Sequence, residues 1–114
     1  MSDDEVAFAV DIDREPDAVV ARCHGMLVAG VTGILYDEVR PLIPANKRII
    51  LDLTDLVKMD SLGLGTLVRL YVSARSAGCE LELYNIGPRI RQLLGITNLL
   101  SFFTVIGENN IRFP

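Results

Sequence analysis

Ile49-Ile50-Leu51-Asp52-Leu53, followed after a short connection by Met59-Asp60-Ser61-Leu62-Gly63-Leu64-Gly65 and the run Thr66 to Gly78, is the stretch that decides the fold. The first five residues are mostly apolar, follow the basic pair Lys47-Arg48, and are too few for an independent helix. Their Ile and Leu content suits a central strand buried on both faces. In the second part Leu64, Leu67, Val68, Tyr71 and Ala74 recur at i, i+3, i+4, i+7 and i+10, one apolar face of a helix, with Arg69, Ser73, Arg75 and Ser76 mostly opposite. Gly78 closes this helix as a C-terminal cap. A buried strand leading into an amphipathic helix is the unit of an α/β fold.

Working outward, Cys79 to Tyr84 alternates apolar and polar residues and reads as a strand. Pro88 suits a first helical turn, Ile90, Leu93 and Leu94 continue that helix, and Gly95 stops it. Phe102 to Ile106 is one more apolar strand. Towards the N-terminus, Gly25 and Gly30 mark a loop, Thr32 is a candidate N-cap, and Leu35, Val39 and Leu42 recur at helical spacing until Pro41 ends or bends the helix near Arg40. Val6 to Ile12 and Ala18 to Cys23 are two strands separated by the turn Arg14-Glu15-Pro16-Asp17, so an antiparallel hairpin is the simplest pairing. The order β-β-α-β-α-β-α-β predicts an α/β domain with a mostly parallel sheet, opened by an antiparallel hairpin.

The chain has 114 residues with an apolar fraction of 50%. That is one domain's length, and such a chain buries roughly two thirds of its unfolded surface, enough for a core without metal or disulfide staples. We expect residues 1–5 to form an acidic tail and residues 6–114 a single domain. Residues 1–17 hold seven acids against Arg14 alone, a balance of −6, whereas the other 97 carry eight acids and ten bases, a balance of +2. The bases are scattered, without the basic stripe or aromatic platform of a nucleic-acid binder. No apolar run reaches the roughly 18 residues of a membrane span, and the acidic start is unlike a secretory signal. A cytoplasmic protein is expected. Cys23 and Cys79 lack a metal-binding or redox spacing, and the single histidine, His24, follows Cys23 on a strand. Reduced thiols and a hydrogen-bonded structural histidine are the expectation, with no catalytic residue, metal or cofactor.

The junction Met59 to Gly65 carries the chemistry. Asp60 and Ser61 are both good N-cap types, and either would stand at an exposed helix N-terminus. Unpaired amides and the helix dipole favour an anion there, so a phosphate on Ser61, bringing about −1.5 to −2 charges, would meet a favourable environment. Gly63 and Gly65 each weaken the helix by about 1 kcal/mol relative to alanine. Either they are packing glycines, or they let a partner's backbone approach. The segment has neither the lysine and spacing of a P-loop nor a Gly-x-Ser-x-Gly elbow. Asp52 and Asp55 stand near one strand end, as in a metal-dependent phosphoacceptor, but a hydrogen-bonded structural role is the simpler account.

Ile50-Leu51-Asp52-Leu53-Thr54, Met59-Asp60-Ser61-Leu62-Gly63-Leu64-Gly65, Gly78-Cys79-Glu80-Leu81, Pro88-Arg89-Ile90-Arg91-Gln92-Leu93-Leu94 and Thr97-Asn98-Leu99-Leu100 together resemble the successive signatures of the STAS family. More narrowly they resemble bacterial anti-sigma factor antagonists. The resemblance covers residues 6 to 106, and Asp-Ser-x-Gly is its most specific part. It implies a STAS-like domain, not an enzyme, that regulates transcription by partner switching. The serine matching the family's acceptor is Ser61. An anti-sigma factor that is also a serine kinase would phosphorylate it, a phosphatase would reset it, and only the unphosphorylated form would bind the kinase and release the sigma factor. The implied partner contacts are Asp60, Leu62, Gly63, Leu64 and the segment Gly25-Met26-Leu27, on a monomer or weak dimer. Two features depart from the pattern. Val28 stands where many members carry an acid, and Gly107 to Pro114 is too short for the further helix with which members commonly end. A second reading is a non-phosphorylated STAS scaffold or ligand-sensing module in a larger assembly, and a third is a small enzyme using Ser61 or Asp52.

Overall fold

A computed structural model describes residues 7–106. The elements are β1 (Ala9–Arg14), β2 (Val19–Leu27), α1 (Thr32–Val39), β3 (Arg48–Met59), α2 (Ser61–Ser76), β4 (Glu80–Tyr84), α3 (Gly87–Ile96) and β5 (Thr104–Ile106). Short 3-10 turns follow α1 at Arg40–Leu42 and α3 at Leu100–Phe102. The expected order is therefore the observed one. Among the described residues the strands form one five-stranded sheet in sequence order, with β1 antiparallel to β2 and every other neighbouring pair parallel. Val6 and the C-terminal expectation for Gly107 to Pro114 lie outside the described residues.

Strand alternation sets where the core sits. Ala21, Cys23 and Leu27 of β2, Ile49, Leu51 and Leu53 of β3, and Leu81 and Leu83 of β4 are buried. They join Leu35 and Val39 of α1, Leu64, Leu67, Leu70 and Ala74 of α2, and Ile90 and Leu94 of α3 in one apolar cluster. Ile50 and Asp52 are only half-buried, which corrects the expectation that β3 is buried on both faces. The physical reason lies in the next strands: the positions between the core residues carry Arg22 and His24 on β2 and Asp11 and Asp13 on β1, which meet water and one another. Arg22 pairs with Asp13 at 2.9 Å and with Asp52 at 3.7 Å, and His24 lies 2.9 Å from Asp11 and 3.4 Å from Asp55.

Two strands run further than their sequence pattern suggests, and both extensions matter for the site. β2 continues through Gly25 to Leu27 instead of stopping at Cys23, because Gly25 takes φ +86° where the β2–β3 register shifts, a bulge that glycine fills without strain. β3 continues through Leu56 and Met59, paired to β2 as far as Leu27 opposite Met59. Thr32 is the first residue of α1 rather than its cap; Val31 precedes it with no side-chain cap bond. Gly78 does take the left-handed conformation, φ +72°, and Cys79 N–H donates to the Ala74 carbonyl at 2.8 Å, closing α2.

Cys23 and Cys79 are free and buried. Burial, assisted by Asp52, pushes the Cys23 thiol up to about 12. A disulfide reagent at pH 8 should therefore leave Cys23 unreacted in the native protein and modify it promptly after denaturation, since the thiolate is the attacking species. Rapid native labelling of Cys23, mapped by mass spectrometry, would refute that packing.

Candidate functional site

The paired ends of β2 and β3 deliver two chain segments to one place. From Leu27 the chain turns through Val28–Val31 into α1, and from Met59 it passes through a single residue, Asp60, into α2. Asp60 N–H donates to the Leu27 carbonyl at 3.3 Å, so the two segments are joined at the backbone.

Asp60, not Ser61, is the N-cap of α2. Its extended backbone, φ −103° and ψ −173°, sets the carboxylate over the first turn. One oxygen accepts from Leu62 N–H at 3.0 Å and Gly63 N–H at 2.9 Å, and the other accepts from Ala29 N–H at 2.9 Å. Capping and cross-linking are thus done by one side chain. The Gly63, Ala29 and Leu62 amides, in that order, hold the Asp60 carboxyl below the usual carboxylate range. A group whose pKa falls on folding stabilises the fold above its unfolded value, near 3.8, and loses that contribution as pH falls through the lower folded value. The melting temperatures of wild type and Asp60→Asn should accordingly differ by a constant amount at neutral pH and draw together as pH falls below 3.8 through the lowered folded value. A gap independent of pH would contradict the charged cap.

With the cap supplied, Ser61 occupies the first helical position, exposed, and its hydroxyl makes no hydrogen bond among the described residues. The same arrangement corrects one expectation. A phosphate on Ser61 would not find the Leu62 and Gly63 amides free, because Asp60 already holds them. It would instead stand beside a carboxylate.

The two glycines separate in role. A β-carbon on Gly63 would fall 2.2 Å from the Leu27 carbonyl oxygen and 2.8 Å from Met59 Cγ. Gly63 is buried and lets α2 begin against the end of β2, so its missing side chain makes room for this chain's own backbone and not for a partner's. At Gly65 a β-carbon would meet nothing within 4 Å. The other expected contacts divide likewise. Leu64, Leu27 and Gly25 are buried framework, whereas Asp60 and Met26 are half-buried and Leu62 is 57% exposed beside Ser61. Ala29 and the loop residue Gly30, neither of them among the implied partner contacts, are exposed on the adjoining turn.

The remaining candidates are engaged with neighbouring side chains and backbone. Asp52 accepts from the Thr54 amide at 3.0 Å and from its hydroxyl, and Asn85 donates to the same hydroxyl oxygen at 3.0 Å. His24 sits between Asp11 and Asp55, and no bond joins it to Ser61 among the described residues. Among those residues no group of three or more His, Cys, Asp or Glu side chains is arranged to hold a metal ion. No helix there is long and apolar enough to cross a membrane.

The site is a small α/β sheet that presents the exposed Ser61 hydroxyl at a capped strand-to-helix junction. Residues 9–110 match the STAS domain family, and the chain belongs to it; the family is one of non-enzymatic binding proteins. The chain is 27% identical over 100 residues to the anti-sigma-B factor antagonist of Bacillus subtilis (strain 168), covering 88% of this chain and 92% of that one. The fold is similar to the anti-sigma factor antagonist SpoIIAA in its unphosphorylated form, with a TM-score of 0.72, 22% identity and 90% of both chains covered. It is also similar to the Bacillus cell fate determinant SpoIIAA in the phosphorylated form, with a TM-score of 0.68, 22% identity, and 90% of this chain and 94% of that one covered. An anti-sigma factor antagonist from Mycobacterium paratuberculosis matches with a TM-score of 0.75 at 17% identity, over 91% and 87% of the two chains. This chain is a homologue of anti-sigma factor antagonists.

Proposed function

We propose that this protein is an anti-sigma factor antagonist that works by partner switching, with Ser61 as its phosphoacceptor. The unphosphorylated form binds an anti-sigma factor that is also a serine kinase, and the sigma factor is released. Phosphorylation of Ser61 ends that binding, and a serine phosphatase restores it. The observation that carries this reading is the free, exposed hydroxyl of Ser61 at the first position of α2, left unengaged because Asp60 performs the capping.

The partner surface in this reading is Ser61, Leu62 and the Ala29–Gly30 turn, held in place by Asp60, Gly63 and the end of β2. An exposed leucine next to the acceptor supplies apolar area to an interface. A phosphate there adds about −1.5 to −2 charges beside the Asp60 carboxylate. With the Leu62 and Gly63 amides already held by Asp60, the new charge is directed at the partner. Burying it without a matched cation costs several kcal/mol, by order of magnitude, and each 1.4 kcal/mol is about tenfold in affinity.

The test is incubation with ATP and magnesium, with and without the anti-sigma kinase, followed by phosphopeptide mapping. Phosphate on Ser61 only when the kinase is present is the expected result. Labelling without the kinase would point to an enzyme, and labelling at another residue, or none, would remove Ser61 from the mechanism.

A further inference from the structure

A cleft of about 640 Å³ lies between the C-terminal end of β3 and α3. That volume is within the range of small-molecule sites. Leu56 and Met59 line it from the strand, and Ile86, Ile90 and Leu93 from the helix and the turn before it. Val57 and Ile96 also line it although they are 60% and 73% exposed, so two large apolar side chains are left in water within one concavity. A concentrated apolar exposure of this kind marks a binding surface more often than an isolated exposed leucine does.

The charge of the lining is one-sided. Lys58 and Arg89 face the cleft with Gln92, and among the described residues no carboxylate lines it, although the chain as a whole carries 15 acids against 11 bases. Both cations are exposed and make no hydrogen bond or ion pair among the described residues. α3 also begins at the cleft without a side-chain cap, which adds to the positive potential there.

We propose that this cleft binds a small amphipathic carboxylate, its apolar chain lying on Leu56, Ile90 and Leu93 and its anionic end paired with Lys58 and Arg89. The site is independent of the role assigned to Ser61 and needs no partner protein. It adjoins the switch all the same, because Met59 lines the cleft and is followed directly by Asp60.

Dodecanoate is the probe and decanol its neutral control, titrated into the full chain and followed by two-dimensional amide NMR. Saturable shifts should centre on residues 56–59 and 86–96, and decanol should bind at least about tenfold more weakly. The double variant Lys58→Gln/Arg89→Gln replaces exposed side chains. It should keep its melting temperature and lose at least about tenfold in dodecanoate affinity. Absence of saturable binding below the micelle-forming concentration, equal affinity for decanol, or an unaffected double variant would each overturn the proposal. So would shifts spread equally over the exposed Ile34 and Val72, which would mark general detergent binding. None of these readings uses a kinase, so a negative result here leaves the partner-switching test untouched.

Discussion

Gly63→Ala is expected to destabilise the protein by about 3 kcal/mol, whereas Gly65→Ala two residues later is expected to stabilise it by about 0.5 to 1 kcal/mol. Both substitutions gain helix propensity, about 1 kcal/mol each. They differ in what the new methyl group meets. At Gly63 it meets the Leu27 carbonyl at 2.2 Å, a backbone group that also accepts from Asp60 N–H and so cannot give way cheaply. Relief requires moving the start of α2 off β2, which breaks the Asp60 bridge to Ala29 as well. At Gly65 the methyl group enters open space on an exposed helix position. Denaturant titration of both variants measures the two signs directly. A Gly63→Ala protein as stable as wild type would mean that α2 does not pack on β2 as closely as described.

Phosphorylation of Ser61 is expected to leave the fold intact while abolishing partner binding. Ser61 is exposed, whereas Leu64, Leu67 and the strand residues of the core are buried. Amide shifts between the two forms should be confined to Ala29, Gly30 and residues 60–64, where the new charge stands beside the Asp60 carboxylate and perturbs its bond to Ala29. The amides of Ala21, Leu51 and Leu83 in the central strands should not move. Ser61→Asp should reproduce the change only in part, since one carboxylate carries less charge and fewer acceptor oxygens than a phosphate. Ser61→Ala should bind the partner and become insensitive to kinase and ATP. A Ser61→Ala protein that folds but does not bind would show that the hydroxyl itself is part of the contact.

Much of this architecture is legible in the residues, and what is not has identifiable physical causes. The order of strands and helices follows from local periodicity, which survives into the fold wherever an apolar face is paired with one layer of helices. The ends of β2 and β3 are not legible, because Gly25 and the polar Thr54-Asp55 pair look like loop residues. What carries the strands through them is pairing with a neighbour, including two register shifts. The junction is visible as a cap, yet Asp60 and Ser61 are equivalent by type. The choice falls to Asp60 because its two carboxylate oxygens serve three amides, one of them 31 residues away on another loop. Gly63 and Gly65 are likewise indistinguishable until the Leu27 carbonyl is placed against one of them. The Asp11–His24–Asp55 and Asp13–Arg22–Asp52 groupings depend on cross-strand register, and the cleft beside α3 depends on how that helix meets the extended end of β3. Neither has a local signal.

In the proposed switch one phosphate, at one hydroxyl, decides whether this domain holds its partner. Calorimetric titration of the anti-sigma kinase with the unmodified and the stoichiometrically Ser61-phosphorylated protein tests it most directly. A loss of about a hundredfold or more in affinity, some 2.7 kcal/mol, is the predicted result. Equal affinity of the two forms would contradict it.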